Sequence, residues 1–380
     1  MQAGNQAADR IIMHEQNRTY RGKRRALIAI LVVACVLSLP LTASTKAFCG
    51  FDQIFQAVAL WFQVTLDSLS GTRHTSTELL EQCPMYYQVL SRIAITFVAV
   101  ACGTMTSLSG SLYQMVFRNP IAAPTMLGVG NGITLGVVAL VVIFGASAPY
   151  MTAFRYLFCY VGAIAVLALV VGLSFAIGKG RLVVVDMLLV GTVISALVGQ
   201  AVIFFTYSVF DEDAWAVFNA INEMLDVNVE PLSLAVLAVA LIVSVVPIAL
   251  LRFKMNVVAF DEADMRLSGM NPTALRFVAL ACATIMIISA QVQIGTIAMV
   301  ALIAPHVARS MFGAEFTKQF WGAVLVGAIL VVVCNDLSAL AEIAFFANDL
   351  ELDFPIGLAA NIVCLPLFAW VIASQNRMWE

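Results

Sequence analysis

Long apolar runs separated by short polar breaks dominate the chain. Runs of span length lie at approximately 26–44, 93–116, 125–148, 153–177, 183–207, 232–251, 273–291, 295–312, 321–341 and 355–374. A helix that crosses a bilayer needs roughly 20 mainly apolar residues, and about ten such segments are present. None shows the two-residue alternation over about ten residues that marks a transmembrane barrel strand. The pattern predicts an all-α fold: a polytopic membrane helical bundle of about ten transmembrane helices, with both termini on the same side.

Composition narrows the class. Of the 380 residues, 62% are hydrophobic and 11% charged, and the mean hydropathy is +0.95. Soluble domains carry about 25% charged residues. Lipid must therefore cover part of this surface, which excludes a soluble globular protein, a disordered chain and a secreted disulfide scaffold. The net charge of −3, with no basic domain, excludes a nucleic-acid partner.

Charge also orients the bundle. Residues 1–25 are polar and end in Arg21, Lys23, Arg24 and Arg25, with no clear cleavage site beyond, so they read as a retained tail rather than a signal peptide. With that tail inside, only Lys46, Arg73, Arg92 and Arg155 of the 20 Lys and Arg residues fall outside. This positive-inside bias predicts cytoplasmic termini, a tail over 1–25 and a single transmembrane domain over 26–380. The outer segments are acidic, including Asp52, Asp67, Glu78, Glu81, Glu342, Asp349, Glu351 and Asp353. They form either a solvated loop surface or a docking rim.

Three segments depart from plain spans. Residues 117–132, FRNPIAAPTMLGVGNG, place two prolines and three glycines where helix should run. Broken backbone at membrane depth persists only against protein or a water-filled cavity, so the segment is a cavity wall or a tight packed turn. Residues 254–276 lie inside and predict a short helix stopped at Gly269, with Asn271-Pro272 opening the next. The outer loop 45–91 is far longer than a connection needs.

Catalytic signatures are missing. There is no GxxxxGK[ST] phosphate loop, no HExxH and no paired CxxC, and His14, His74 and His306 lie on different segments. Asp186 and Asp336 adjoin apolar runs, as functional groups or as span-end residues. Six of the 8 cysteines fall in or beside spans and read as small apolar packers; Cys49 and Cys83 share the outer loop, as a disulfide or as two thiols.

Four stretches resemble the iron-siderophore/cobalamin (FecCD-type) permease family of type II ABC importers. SGSLYQMVFRNPIAAPTMLGVGNG (109–132) is similar to its SGxxxQ and RNPLAxPxxLGVxxG patterns. AFDEADMRLSGMNPTALRF (259–277) resembles the helix-turn-helix it presents to its ATPase. IGTIAMVALIAPHVAR (294–309) and DFPIGLAANIVCLPLFAW (353–370) resemble its GxIxFxGLxxPHxxR and ELPxGxxTxxxGxPxFxW patterns. The four occur in family order over roughly 85–375. Ala298, Ala301 and Cys364 stand where the family usually has Gly, and Leu340 where a docking arginine is frequent.

The resemblance implies a non-enzymatic permease subunit in the bacterial cytoplasmic (inner) membrane, importing a ferric-siderophore, with haem or a cobalamin as alternative cargo. It implies no cofactor on this chain: ATP-Mg belongs to partner ABC ATPase subunits. It also implies a second permease subunit, identical or different, and an extracytoplasmic substrate-binding protein. Asp261, Glu262, Asp264 and Arg266 are then expected to grip the ATPase, Leu267 and Met270 to fill a groove on it, and Gly269 to form the turn. Asn119, Pro120, Pro124, Gly128, Gly130, Gly132, Gly295 and Pro305 are expected along the translocation path. Arg92, Glu351 and Asp353 are expected to dock the binding protein. A secondary transporter would need mid-span coupling residues, which are few here, and a membrane scaffold would need no inner helix-turn-helix.

Overall fold

A computed structural model describes residues 2–42, 47–70, 74–145, 151–179, 184–208, 229–259, 269–345 and 354–376. Its helices are α1 (Gln2–Ser38), α2 (Phe51–Leu69), α3 (Ser76–Gln82), α4 (Tyr86–Val116), α5 (Val129–Phe144), α6 (Met151–Ile177), α7 (Val184–Ser208), α8 (Pro231–Met255), α9 (Pro272–Ile294), α10 (Ala298–Phe312), α11 (Phe316–Phe345) and α12 (Ile356–Asn376). Short 3₁₀ turns precede α5 (Pro124–Leu127) and follow α8 (Asn256–Ala259). Two two-residue strands, β1 (Leu41–Thr42) and β2 (Ala47–Phe48), pair antiparallel after α1.

Among the described residues, α4, α6, α7, α8, α9 and α11 are long and apolar enough to cross a membrane. Helices α5, α10 and α12 are apolar but shorter. The polar tail and the first apolar run form one continuous helix, α1.

The centre of the bundle is α4, packed on α9, α10 and α11. Small residues permit this. Where α4 crosses α11, Gly103 and Gly327 face each other; a Cβ on Gly103 would sit 2.8 Å from the Gly327 carbonyl carbon and 3.0 Å from Ala328 Cα. Lipid supplies no hydrophobic drive between helices, so close backbone approach and dispersion hold such a crossing. Met105, Leu108, Leu112, Met286, Ile303 and Val331 fill the core around it. A second core joins α5, α6 and one face of α9 through Val129, Val137, Cys159, Ala163 and Ile288. Helix α7 is peripheral, with Leu189, Val193, Leu197 and Phe204 exposed along one side.

The long outer segment is folded and packs on the start of α4. Cys49, Ile54, Ala57, Leu60, Leu79 and Cys83 form a small core against Tyr86 and Val89 of α4. A capping box starts α3: Thr75 Oγ1 accepts from the Glu78 amide, and the Glu78 carboxylate accepts from the Thr75 amide at 3.1 Å. His74 Nε2 lies 2.8 Å from Asp67 Oδ2, joining the end of α2 to the start of α3. Both cysteines are buried and stand as free thiols.

Candidate translocation, coupling and docking sites

The break between α4 and α5 is built by local backbone chemistry. Helix α4 ends at Phe117, and Arg118 enters the left-handed region at φ 50. The Asn119 amide then donates to the Gln114 carbonyl at 3.1 Å, while Asn119 Oδ1 accepts from the Ile121 amide at 3.0 Å. This Asx turn redirects the chain without a helix. Pro120 leaves its carbonyl free for a distant partner, His306 Nε2 of α10, at 2.8 Å. Pro124 opens the 3₁₀ turn, and Gly128, at φ 78, caps α5.

The residues expected along the path divide into two groups. Pro124, Gly128, Gly132, Gly295 and Pro305 are buried within the subunit. A Cβ on Gly128 would lie 2.8 Å from Ser195 Oγ and 2.9 Å from Val166 Cγ1, and one on Gly132 would lie 2.7 Å from the Gly162 carbonyl oxygen. These two glycines seat α5 against α6 and α7. Asn119, Pro120 and Gly130 remain partly or fully accessible. Gly130 adjoins the side chains of Gln291 and exposed Thr296. The buried Gln291 amide has no hydrogen-bond partner among the described residues. Gly295, at φ 72, makes the turn between α9 and α10 that carries Thr296.

At one end of the bundle several loops are tied together. Asn256 Nδ2, just after α8, donates to Thr317 Oγ1 of α11 at 2.9 Å. Gly269 adopts φ 71, Met270 packs on the main core, and the Asn271 side chain accepts from the Ala274 amide to cap α9 ahead of Pro272. The expected start of α9 is therefore present, while the short helix expected before Gly269 lies outside the described residues. Asp261, Glu262, Asp264, Arg266 and Leu267 lie outside the described residues. The basic end of α1 reaches the same region: Lys23 Nζ donates to the Met311 carbonyl at 2.7 Å, and Arg24 stacks 5.2 Å over the Trp321 ring. The basic run, the 117–124 turn and the flanks of 260–268 thus gather around the α10–α11 connection.

A second cluster joins α1, α4 and α11. Arg92 is 2% exposed. Its Nε donates to the Ser38 carbonyl at 3.0 Å, and its Nη2 donates to Ser38 Oγ at 3.1 Å and to Asp336 Oδ1 at 2.7 Å. With its amide oxygen turned to the guanidinium, Asn335 accepts from Nη1 and Nη2 at 3.1 Å. The arginine expected on the docking rim therefore points into the subunit, because a carboxylate and a free helix-end carbonyl await it there. Further along α11, Glu342 Oε1 accepts from the Phe354 amide at 3.0 Å, and Ser338 Oγ bonds the Phe354 carbonyl. These bonds fix the residue just after the acidic loop; Glu351 and Asp353 lie outside the described residues.

Sequence reasoning missed Ser38, Asn335 and Gln291. Each is a polar residue inside or beside an apolar run, and that contrast was the available signal. Gln114 carries the same signal and donates to the Leu302 carbonyl at 3.1 Å, tying α4 to α10.

The FecCD transport family model matches residues 30–374. A probable iron chelatin transport system permease protein of Helicobacter pylori is 27% identical over 281 residues, 74% of this chain and 80% of that protein. The hemin transport system permease protein HmuU of Yersinia pestis is 27% identical over 288 residues, 75% and 83% of the two chains. The Fe(3+)-citrate import system permease protein YfmE of Bacillus subtilis is 23% identical over 360 residues, 95% and 99%. Among solved structures, an inward-facing metal-chelate type ABC transporter chain shares the fold at TM-score 0.69 and 19% identity, covering 93% of this chain and 99% of its own.

Proposed function

This chain belongs to the FecCD transport family, and from that premise we propose that it is the permease subunit of a binding-protein-dependent ABC importer for a ferric-siderophore in the bacterial inner membrane. The observation that carries the proposal is the family match over residues 30–374, which runs from the apolar part of α1 almost to the end of α12.

The geometry suits a subunit that moves between conformations without chemistry of its own. Segment 260–268 sits between α8 and α9, whose ends are pinned by Asn256 and Asn271. A partner ATPase gripping Asp261, Glu262, Asp264 and Arg266 would push on a firmly anchored element, and rigid elements transmit such movement. The His306–Pro120 bond links α10 to the 117–124 turn, which leads through Gly128 to Gly130 and the bare Gln291 amide. We assign Gly130, Gln291 and Thr296 to the cargo path. The Thr296 hydroxyl, backed by the Gln291 amide, offers weak, neutral hydrogen bonds there, which suit a large chelate that must pass without being trapped. The iron crosses inside its chelator and is cargo, not a bound cofactor. Docking falls to the acidic loop before Phe354, with Arg92 and Glu342 positioning its base.

The test is uptake of radiolabelled iron, presented as several ferric-siderophores and as haem, in cells with and without this gene. Loss of uptake of one ferric-siderophore supports the proposal. Loss of haem uptake alone keeps the permease and changes its cargo, a reading favoured by the Yersinia pestis relative. Unchanged uptake of every iron source overturns it.

A further inference from the structure

Helix α2 divides its surface into three stripes. At roughly 100° per residue, Ile54, Ala57, Leu60 and Val64 share one side. They meet Leu79, Tyr86 and Val89 in the satellite core. Gln56, Gln63, Asp52 and Asp67 share a second side. Phe51, Phe55, Val58, Phe62 and Leu66 follow an i, i+4, i+7, i+11, i+15 pattern, which makes one continuous third stripe. That stripe is open: Phe55 is 76% exposed and Phe62 is 61% exposed. A helix with a protein side and a water side needs only two stripes. The third, aromatic and apolar, calls for another medium.

We propose that α2 lies in the membrane–water interface, with the Phe55–Phe62 stripe seated among the lipid headgroups and upper acyl chains of the leaflet at that end of the bundle. Continuity of surface argues for lipid. The stripe is carried on a helix packed against the start of α4, and α4 itself exposes Tyr87 and, further along, Phe97 at 60%. Helix α1 also exposes Val32, Val33, Val36 and Leu37 towards that end. These faces belong to a bundle whose surroundings are lipid, so the stripe prolongs a lipid-facing surface into the interfacial zone. Aromatic side chains concentrate at that depth. Interfacial helices bury their apolar face by about 5–10 Å while the polar face stays wet.

The charge pattern makes the proposal specific. Residues 51–69 contain no Lys or Arg, and their acids, Asp52 and Asp67, lie on the water stripe. Attraction to anionic lipid is therefore absent, and the apolar area alone seats the helix. A lipid surface with neutral, zwitterionic headgroups is sufficient, and salt should not release it.

The test uses the full-length permease, assembled as its transporter in phosphatidylcholine vesicles, with nitroxide labels on F55C, F62C, Q56C and Q63C. Wild-type chain labelled in parallel supplies the background. Collision with oxygen reports lipid, and collision with a water-soluble nickel chelate reports water. The oxygen-to-nickel ratio should be several-fold higher at 55 and 62 than at 56 and 63, and unchanged between low and high salt. High nickel access at all four sites would place the helix in water and overturn the proposal. Shielding of 55 and 62 from both reagents would mean that protein covers the stripe, and would also overturn it. If F55C and F62C fail to assemble, F62W on the stripe, measured against the wild-type chain, replaces them. Phospholipids brominated near the headgroup end should quench it strongly, and absence of quenching counts against the proposal.

Discussion

Arg92 and Asp336 meet at 2.7 Å across 244 residues of sequence, and the pair locks α4 to α11 beside the end of α1. Arg92 ties its own helix to two others, since Ser38 at the end of α1 also accepts from it through both its carbonyl and its hydroxyl. Removing one member of a buried pair strands the other charge, at a cost of about 3–5 kcal/mol. R92A and D336A should each lower the apparent Tm of the detergent-purified chain, while R92M/D336L should recover much of the loss. Fluorescence-detected size exclusion after heating measures this. The same variants separate positioning from direct docking. A rim charge sets a salt-dependent association rate with the binding protein. If R92M/D336L is stable but associates slowly, and salt abolishes its difference from wild type, Arg92 touches the partner directly.

The α4–α11 crossing leaves no room for side chains. A Cβ on Gly103 would press on backbone atoms at 2.8–3.0 Å, and backbone does not yield as a flexible side chain does. Overpacking typically costs about 1–3 kcal/mol. G103A should lower Tm measurably, and G103V should abolish monodisperse protein. G172A, at a site with nothing within 4 Å, should behave as wild type and serves as the control.

The bundle was legible because its signal is long. Twenty apolar residues in a row admit few readings, and Gly269 followed by Asn271-Pro272 marks a helix boundary by local chemistry alone. The satellite was not legible. Residues 51–69 mix Phe and Trp with Gln and Asp, so they read as a loop until Tyr86 and Val89 supply a surface to pack on. Arg92 is legible as a charge at the start of its helix, but the partners it meets inside the subunit are not. Its partner Asp336 is 244 residues away, and no local pattern reports such a meeting. Gly128 and Gly132 show a related limit. Their spacing announces close approach, yet whether helix or cargo approaches depends on where α6 and α7 lie.

Burial raises the Cys49 thiol above its ordinary value of 9.0, and neighbouring Cys83 and Asp52 push it the same way. The thiolate is the species that alkylates. Iodoacetamide should therefore modify Cys49 more slowly at pH 8 than a free cysteine, with the rate still climbing at pH values where a free cysteine has levelled off. Because the folded value is raised, the native state holds its proton longer than the unfolded chain does. Stability from this group is full below the unfolded value and declines as pH rises through the folded one. Mass spectrometry of alkylated peptides across pH 7–10 checks the rate. Complete protection that dithiothreitol relieves would instead identify a Cys49–Cys83 disulfide.

The His306–Pro120 bond should matter to transport more than to folding. It joins a partly exposed imidazole to a carbonyl that a proline-containing turn leaves unpaired by its own helix, and it bridges 186 residues. One neutral hydrogen bond contributes about 0.5–1.5 kcal/mol net. H306A should therefore shift Tm only slightly. If the turn transmits movement from α10 towards Gly130, the same variant should uncouple: ATP hydrolysis by the assembled transporter continues while labelled-iron uptake falls several-fold. H306Q, which keeps a donor, should restore part of the uptake. E262A/R266A acts earlier in the proposed sequence, at the grip on the ATPase, and should lose association with that subunit as well as uptake. Normal uptake in H306A would remove the turn from the transmission path. Normal association and uptake in E262A/R266A would remove segment 260–268 from coupling, and the two results are independent.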